Sequence, residues 1–536
     1  MQKNSLSLIE KFEEKISFFS NKIFFALLII GIIGLVIRVL FLHIEIPINS
    51  DNFLYFRHAV DQVTGYTSET DIVFNDGWPF FLSLFFSITP SNNFMDYMAL
   101  QRFLTIGISV LTIIPIYYLG KQFFSKSYAV LGSAIFVFEP RIAQNSLFGT
   151  TDPLYIMALT ISLALIFNKK YHIQFISFVT LSCAILVRSE GLFLLPIFFA
   201  IFFLRSRINK KSIFSFFIIL GIITCILFPA SIIRVEHTGY DGLTGRISDG
   251  VNHITETGNG NQSQIFLIVE NGIVNMLKFL AWSQIPYLIF FVPFGLILLI
   301  KNESKYKKTL VLVGVSALIP TIYGYSFASD SRYLFPIYPI FCILSIYSIK
   351  YFIQKTTKPK CITILIFSII IISSIFYLNW KDIDKNRELE LYNLALEISN
   401  RASMVNVFYP ESSYLQIVGL TKIEKFPTSS NEYMGRKTEQ YWYNKTDSII
   451  NVIKLGEGKG LTHLIIDDNQ NRPQFVKDIL INENNYPYLI KEFDSLEHGY
   501  KYNLKIYKID YEKFDLMNEI KLNFINSNDI KNLFLK

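Results

Sequence analysis

Residues 22–42 read KIFFALLIIGIIGLVIRVLFL, an apolar run of membrane-spanning length. About 20 mostly apolar residues in a helix cross the hydrocarbon core of a bilayer. The run is too long for the apolar part of a signal peptide, and no small-x-small cleavage site follows it, so it is read as a spanning helix. Blocks like it recur along the chain, at about 102–119, 127–140, 152–168, 171–187, 190–205, 212–233, 279–300, 308–326, 333–352 and 361–379. That gives about eleven spans. The 536 residues are 51% hydrophobic with a mean hydropathy of +0.36, too apolar for an ordinary soluble protein of this size. Lipid offers no partner to free backbone groups, so the spanning segments must be helices. A shorter apolar run, Trp78–Thr89, reads as a half-inserted or surface-lying helix.

The turns between these runs fix an orientation. Alternate turns carry Lys121 and Lys126; Lys169 and Lys170; Arg205, Arg207, Lys210 and Lys211; Lys301, Lys305, Lys307 and Lys308; and Lys350, Lys355, Lys358 and Lys360. All five fall on one side if the spans are as read, and positive turns stay cytoplasmic. The N-terminal segment 1–21 is then inside, and the loops at 43–101, 141–151, 188–189, 234–278 and 327–332 face outward. The net charge of +7 is a topology signal of this kind and does not point to nucleic acid.

The tail, 380–536, is polar and also falls outside. It reads as a helix at Lys385–Asn400 followed by short β-like runs at Met404–Tyr409, Thr462–Ile466, Tyr488–Phe493 and Tyr502–Ile509. The expected organisation is a mainly α, polytopic bundle over 22–379 with a small extracytoplasmic α/β domain over 380–536. The four cysteines, Cys183, Cys225, Cys342 and Cys361, lie in or beside apolar runs and supply no disulfide framework for the tail.

The outer loops carry the chemistry. The first is rich in acids and aromatics: Asp51, Tyr55, Asp61, Tyr66, Glu69, Asp71, Asp76 and Trp78. Asp51 stands just before Phe53–Val63, whose apolar spacing suits a helix lying on the membrane surface. It is a good helix cap there. It is equally suited to be a general base at the lipid–water boundary, taking a proton from an attacking hydroxyl. Asp152, in Thr151-Asp152-Pro153, has the same two readings.

Outer arginines are less expected than cytoplasmic ones. Arg57, Arg102, Arg141, Arg188, Arg234 and Arg332 all lie in outer loops or at outer span ends. Guanidinium groups bind phosphate in a bidentate manner and stay charged in any setting. Each alone can be a residue snorkelling to lipid headgroups; six together suit a phosphorylated lipid. In the loop at 234–278, His237 with Asp241 and Asp249 with His253 stand four apart. A divalent metal could sit there, though a polar loop has the same spacing. No P-loop or dinucleotide glycine pattern occurs in a strand–turn–helix setting.

Six short motifs together resemble the GT-C glycosyltransferases. Ser50-Asp51-Asn52-Phe53-Leu54-Tyr55 is similar to their first-loop acidic motif, and Gly77-Trp78-Pro79-Phe80-Phe81-Leu82 to their Pro-aromatic-Leu segment. Gln101-Arg102-Phe103 and Thr151-Asp152-Pro153-Leu154 follow in the family's order. Val187-Arg188-Ser189-Glu190-Gly191 resembles the Arg-x-Glu-Gly turn, and Ser331-Arg332-Tyr333-Leu334-Phe335-Pro336 the late Arg-Tyr-Leu-x-Pro motif. The resemblance covers about 22–350 and is nearest to the protein O-mannosyltransferase and lipid A aminoarabinose transferase branch. It implies inverting transfer of a sugar from a polyprenyl-phosphate donor at the outer membrane face. Asp51 would be the general base or its orienter, and Asp152 would position donor or acceptor. Arg188 or Arg332 would hold the lipid phosphate. With them Tyr55, Arg57, Arg102, Arg141, Glu190 and Tyr333 form the candidate substrate site. A phosphate leaving group would need no nucleotide-binding fold.

The chain departs from these relatives in one place: Asn52 follows Asp51 where they often carry Asp-Glu. The tryptophans Trp78, Trp282, Trp380 and Trp442 never adjoin, so a Trp-Trp-Asp signature of oligosaccharyltransferases is absent. A transporter or lipid flippase would place its distinctive charges near mid-membrane, whereas here they sit at outer boundaries. An inactive relative is the third reading.

Overall fold

The computed structural model describes residues 20–48, 50–65, 75–89, 91, 93–168, 170–206, 210–239, 241–245, 262–301, 307–327, 330–400, 407–408, 448–458, 461–468 and 473–517. They form two compact units. One takes in the described residues up to Leu42, with Asp51–Pro90 and Asp96–Asp382; the other takes in His43–Ser50, Ser91–Met95 and the chain from Ile383.

The first unit is helical. Among the described residues six helices are long and apolar enough to cross a membrane: Lys22–Leu40, Phe94–Gly120, Lys210–Glu236, Thr309–Ser326, Ser331–Lys355 and a last one whose apolar part is Pro359–Trp380. Other expected spans fall on shorter apolar helices, Lys126–Val137, Asp152–Ile166, Tyr171–Val187 and Leu288–Lys301. The helix Tyr338–Lys355 is buried along most of its length. It packs on Leu288–Lys301 so closely that a Cβ on Gly295 would lie 1.9 Å from the Leu344 carbonyl oxygen. Glycine is required there because the two backbones touch.

Three boundaries differ from the sequence reading. The run 190–205 opens with a tight 3-10 turn, Ser189–Leu194, before its α-helix Leu195–Ser206. The run 279–300 divides into Gln262–Trp282 and Leu288–Lys301, because Pro286 interrupts the backbone hydrogen-bond ladder between them. The loop expected over 234–278 is therefore largely helical at both ends, since Lys210–Thr238 also runs into it. Glu270, Asn271 and Lys278 break the apolar pattern of Gln262–Trp282 and hid it from a hydropathy reading. Gly272 settles that helix against its neighbour: a Cβ there would meet the Ile322 carbonyl oxygen and Ser326 Oγ at 2.4 Å.

The second unit holds a four-stranded sheet in the order β1-β2-β4-β3, with β1 Val407–Phe408, β2 His463–Asp467, β3 Leu489–Asp494 and β4 Leu504–Ile509. β1 runs parallel to β2, and β4 pairs antiparallel with both β2 and β3. The alternation of strand side chains gives the sheet two apolar faces. Leu464, Ile466, Tyr507 and Ile509 meet the helices Ile449–Glu457 and Gln474–Ile481 on one face. Ile465, Leu504 and Ile506 meet Leu394 and Ala395 of the helix Lys385–Asn400 on the other. The α/β domain expected of the tail is thus a sheet between helical layers. Met404–Asn406 and Tyr409 of the first expected strand lie outside the described residues.

Candidate active site

Asp152 opens the helix Asp152–Ile166, with Pro153 in its first turn. Its side chain caps nothing. It is buried, at 1% exposure, and one carboxylate oxygen is paired with Arg188 Nη1. The other oxygen accepts hydrogen bonds from Asn145 Nδ2 at 3.3 Å and Thr150 Oγ1 at 3.2 Å. A buried carboxylate held by a guanidinium and two neutral donors is fixed in direction.

Arg188 sits between the helix Tyr171–Val187 and the turn Ser189–Leu194. Its Nη2 pairs with Glu190 Oε1 at 3.1 Å. Burial acts to lower the pKa of this guanidinium, but Glu190 and Asp152 together hold it well above its ordinary range. Tyr55 also lies within electrostatic reach of Arg188, and the Tyr155 ring stands 5.9 Å from the guanidinium carbon. The turn is tight because Gly191 donates its backbone N–H to the Arg188 carbonyl at 3.1 Å. A Cβ on Gly191 would meet Ile185 at 2.9 Å.

Arg332 is the third element. Asp330 caps the 3-10 turn Ser331–Ile337 by accepting from the Arg332 backbone N–H at 2.9 Å. The same carboxylate takes Arg332 Nε at 2.6 Å. That leaves Arg332 Nη2 facing Asp51 Oδ2 at 3.6 Å. The guanidinium stands in the fields of Asp330, Asp152 and Asp51 together. Asp51 lies in the first turn of the helix Ser50–Thr64 and is 67% exposed. Asp51, Asp152, Arg188, Glu190 and Arg332, spread over nearly 300 residues of sequence, are one neighbourhood.

Backbone contacts fix the distance between the two aspartates. Gln101 Nε2 donates to the Asn52 carbonyl at 3.2 Å and to the Gly149 carbonyl at 2.7 Å. Those carbonyls adjoin Asp51 and the turn before Asp152. Gly149 adopts φ +75°, a conformation that glycine takes without strain. Its carbonyl also accepts from Trp78 Nε1 at 3.2 Å.

The remaining candidates have other surroundings. Arg141 is 4% exposed; it donates to Tyr377 Oη at 2.9 Å and to the Trp282 carbonyl at 2.8 Å. Its guanidinium lies 5.0 Å from the Tyr377 ring and 5.3 Å from that of Trp282. Arg57 is half-buried on Ser50–Thr64, and Arg102 is buried on Phe94–Leu111. Tyr333 packs edge-on to Tyr325 at 5.5 Å. Asp241 closes a turn, with its carboxylate taken by Ser231, Leu243 and Thr244. Asp249, His253 and the side chain of His237 lie outside the described residues, as do Tyr66, Glu69 and Asp71. Among the described residues no three His, Cys, Asp or Glu groups gather as a metal site.

Four contributors were not singled out from sequence: Asn145, Thr150, Gln101 and Asp330. Asp330 had the clearest signal, an acid two residues before Arg332 in Asp330-Ser331-Arg332. Asn145, Thr150 and Gln101 are neutral residues whose role exists only in three dimensions. Arg38, also unnoticed, is fully buried and fastens four segments through Ser146, Ser109 and the Gly34 and Val137 carbonyls at 3.0–3.1 Å.

The lysine-rich turns lie at the far ends of the helices that carry this cluster. Lys170 precedes Tyr171–Val187 and Arg188 follows it. Seventeen residues of α-helix separate them by about 25 Å. Asp152–Ile166 runs between the same two ends.

Residues 77–232 match the dolichyl-phosphate-mannose-protein mannosyltransferase family. No curated protein matches the chain in sequence. Among solved structures, it is similar to the Archaeoglobus fulgidus oligosaccharyltransferase in its apo form, with a TM-score of 0.57 at 12% identity over 84% of this chain and 70% of that one. The same oligosaccharyltransferase, solved with an inhibitory peptide and a dolichol-phosphate, matches at 0.53 and 11% identity over 82% and 69%. ArnT of Cupriavidus metallidurans bound to undecaprenyl phosphate matches at 0.53 and 9% identity, over 90% of this chain and 97% of that one. With its apolar spanning helices and this set of matches, the chain has the fold of the GT-C superfamily of membrane glycosyltransferases.

Proposed function

We propose that this protein transfers a sugar from a polyprenyl-phosphate-linked donor to an acceptor at the extracytoplasmic membrane face, with inversion at the anomeric carbon. The observation that carries this reading is the meeting of Asp51, Asp152, Arg188, Glu190 and Arg332 at the helix ends opposite the lysine-rich turns. Positive turns mark the cytoplasmic side, so in this reading the cluster is outward. Solved proteins of the same fold hold dolichol-phosphate and undecaprenyl phosphate, which favours a donor of that class here.

In this reading Arg332, whose Nη2 faces Asp51 at a loose 3.6 Å, takes the lipid phosphate and stabilises the charge that grows on it as the glycosidic bond breaks. Asp51 accepts the proton of the attacking hydroxyl. Asp152, immobilised by Arg188, Asn145 and Thr150, orients the sugar or the acceptor. Asp51 has the exposure a base needs to reach a substrate, and Asp152 has the rigidity an orienting group needs.

The four carboxylates Asp51, Asp152, Glu190 and Asp330 outnumber the two guanidiniums of Arg188 and Arg332. A divalent cation on Asp51, taking its other ligands from substrate phosphate and water as magnesium commonly does, would relieve that surplus. Chelation is then expected to lower transfer and added Mg²⁺ or Mn²⁺ to restore it; full activity in chelator removes the cation from the reading.

The principal test is transfer of radiolabelled sugar from synthetic polyprenyl-phosphate donors by the purified chain. Asp51→Asn is expected to lower turnover by about a hundredfold or more while leaving donor binding within a fewfold. Unchanged turnover excludes Asp51 as the base.

A further inference from the structure

We propose that Asp76 and Arg234 are a positioning pair that holds the Arg188–Asp152 half of the site in register. Asp76 occupies the N-cap position of the helix Gly77–Ile88, yet its side chain makes no capping hydrogen bond. Aspartate at that position ordinarily accepts from the first turn. Here the carboxylate turns away and pairs with Arg234 Nη1 at 2.6 Å. Arg234 comes from the helix Lys210–Thr238, whose 29 residues exceed what a bilayer needs, and its side chain is only 4% exposed. A buried guanidinium joined to a carboxylate at the start of another helix fixes the relative placement of the two.

The next two residues carry that placement to the site. At Gly77 a Cβ would lie 2.6 Å from the Leu186 carbonyl and 2.7 Å from the Val187 backbone nitrogen, so Gly77 presses on the backbone directly before Arg188. Trp78 is fully buried and donates to the Gly149 carbonyl, three residues before Asp152. The segment Asp76–Trp78 therefore touches Arg234 at one end and the supports of both Arg188 and Asp152 at the other. Without the Asp76–Arg234 pair the start of this segment loses that anchor, and the contacts at Gly77 and Trp78 are expected to loosen together. The role assigned to the pair in sugar transfer rests on the function proposed above; its structural part does not.

The experiment uses the full chain in nanodiscs, with Cys183, Cys225, Cys342 and Cys361 changed to Ala and Ser189→Cys as reporter. Ser189 adjoins Arg188 and is 4% exposed, so its thiol should react slowly with a membrane-impermeant maleimide. Asp76→Asn and Arg234→Gln are each expected to raise the labelling rate about tenfold. The charge-swapped double variant Asp76→Arg/Arg234→Asp should return it to within about threefold of the parent. If a single variant does not fold, Asp76→Glu, which keeps the charge and displaces it by one methylene, is expected to give an intermediate rate.

Uptake of undecaprenyl phosphate and of dolichyl phosphate is measured on the same samples and should weaken in the single variants and recover in the swap. Unchanged labelling in Asp76→Asn, or a swap no slower than the single variants, overturns the proposal. Labelling that behaves as expected in a parent that takes up neither lipid leaves the positioning pair standing and refutes the donor class instead.

Discussion

Arg332 and Arg141 looked alike in sequence, each an outer arginine at the end of an apolar run, and the structure gives them opposite settings. Arg332 is 38% exposed, anchored through Nε to Asp330, with Nη2 held only loosely by Asp51. Arg141 is buried against two aromatic rings and donates to a tyrosine hydroxyl and a backbone carbonyl. One guanidinium is placed by carboxylates, and the other ties a helix end to a backbone carbonyl and a tyrosine hydroxyl. The lesson is that an arginine's partners decide its role: carboxylates leave it oriented and exchangeable for a phosphate, whereas rings and carbonyls use it as structure.

This contrast can be broken or sharpened by substitution. Arg188→Gln strands Asp152 and Glu190 without their shared cation. Removing one partner of a buried charge pair is costly, and turnover is expected to fall by about a hundredfold or more, read as kcat with saturating donor. Arg141→Met is expected to do the reverse, lowering stability by about 3 kcal/mol while specific activity of the folded fraction stays within about threefold; thermal unfolding and an activity assay on the same sample measure both. If Arg141→Met lowers turnover as far as Arg188→Gln without destabilising the chain, the two regions are not distinct.

Trp78→Phe keeps the buried ring and deletes the hydrogen bond to Gly149. It should cost about 1 kcal/mol and slow turnover a fewfold. The smallest effect is reserved for the tail domain. Burial pushes the His463 imidazole below its ordinary 6.5, against the opposing pull of Glu492. A lowered folded-state pKa means that the unfolded chain takes the proton first. Stability is therefore full above 6.5 and declines as pH falls through that value toward the folded one. Denaturant unfolding of the full chain between pH 7.5 and 5.5, with His463→Gln as control, should show the decline in the parent and a weaker one in the variant.

Much of this was legible in the sequence. Apolar length gave the helices and alternating charge gave their ends, because water and lipid act on composition directly. Of the β-like runs of the tail, Tyr502–Ile509 was legible through period-two alternation and became β4 at Leu504–Ile509. In the site, Asp51, Asp152, Arg188, Glu190 and Arg332 stood out because charge at a membrane boundary is uncommon.

What stayed hidden was pairing. Asp152 and Asp51 both read equally as helix caps, and only side-chain direction separates a cap from a carboxylate aimed at Arg188. Asp76 shows the converse, an acid in a cap position that does not cap. The helix Gln262–Trp282 was missed because Glu270 and Lys278 dilute its apolar face. Gln101 and Gly149 have no composition signal at all; their value is that one carbonyl and one amide tie the segments bearing the two aspartates.

The central claim is that the carboxylate-bound guanidiniums, and not the ring-bound one, form the lipid-phosphate site. The direct measurement is equilibrium binding of undecaprenyl phosphate to the purified chain in nanodiscs, comparing the parent with Arg332→Gln and Arg141→Lys. The account expects Arg332→Gln to weaken binding about tenfold or more and Arg141→Lys to leave it within about twofold. Equal affinity in the parent and Arg332→Gln, or a larger loss in Arg141→Lys, contradicts it.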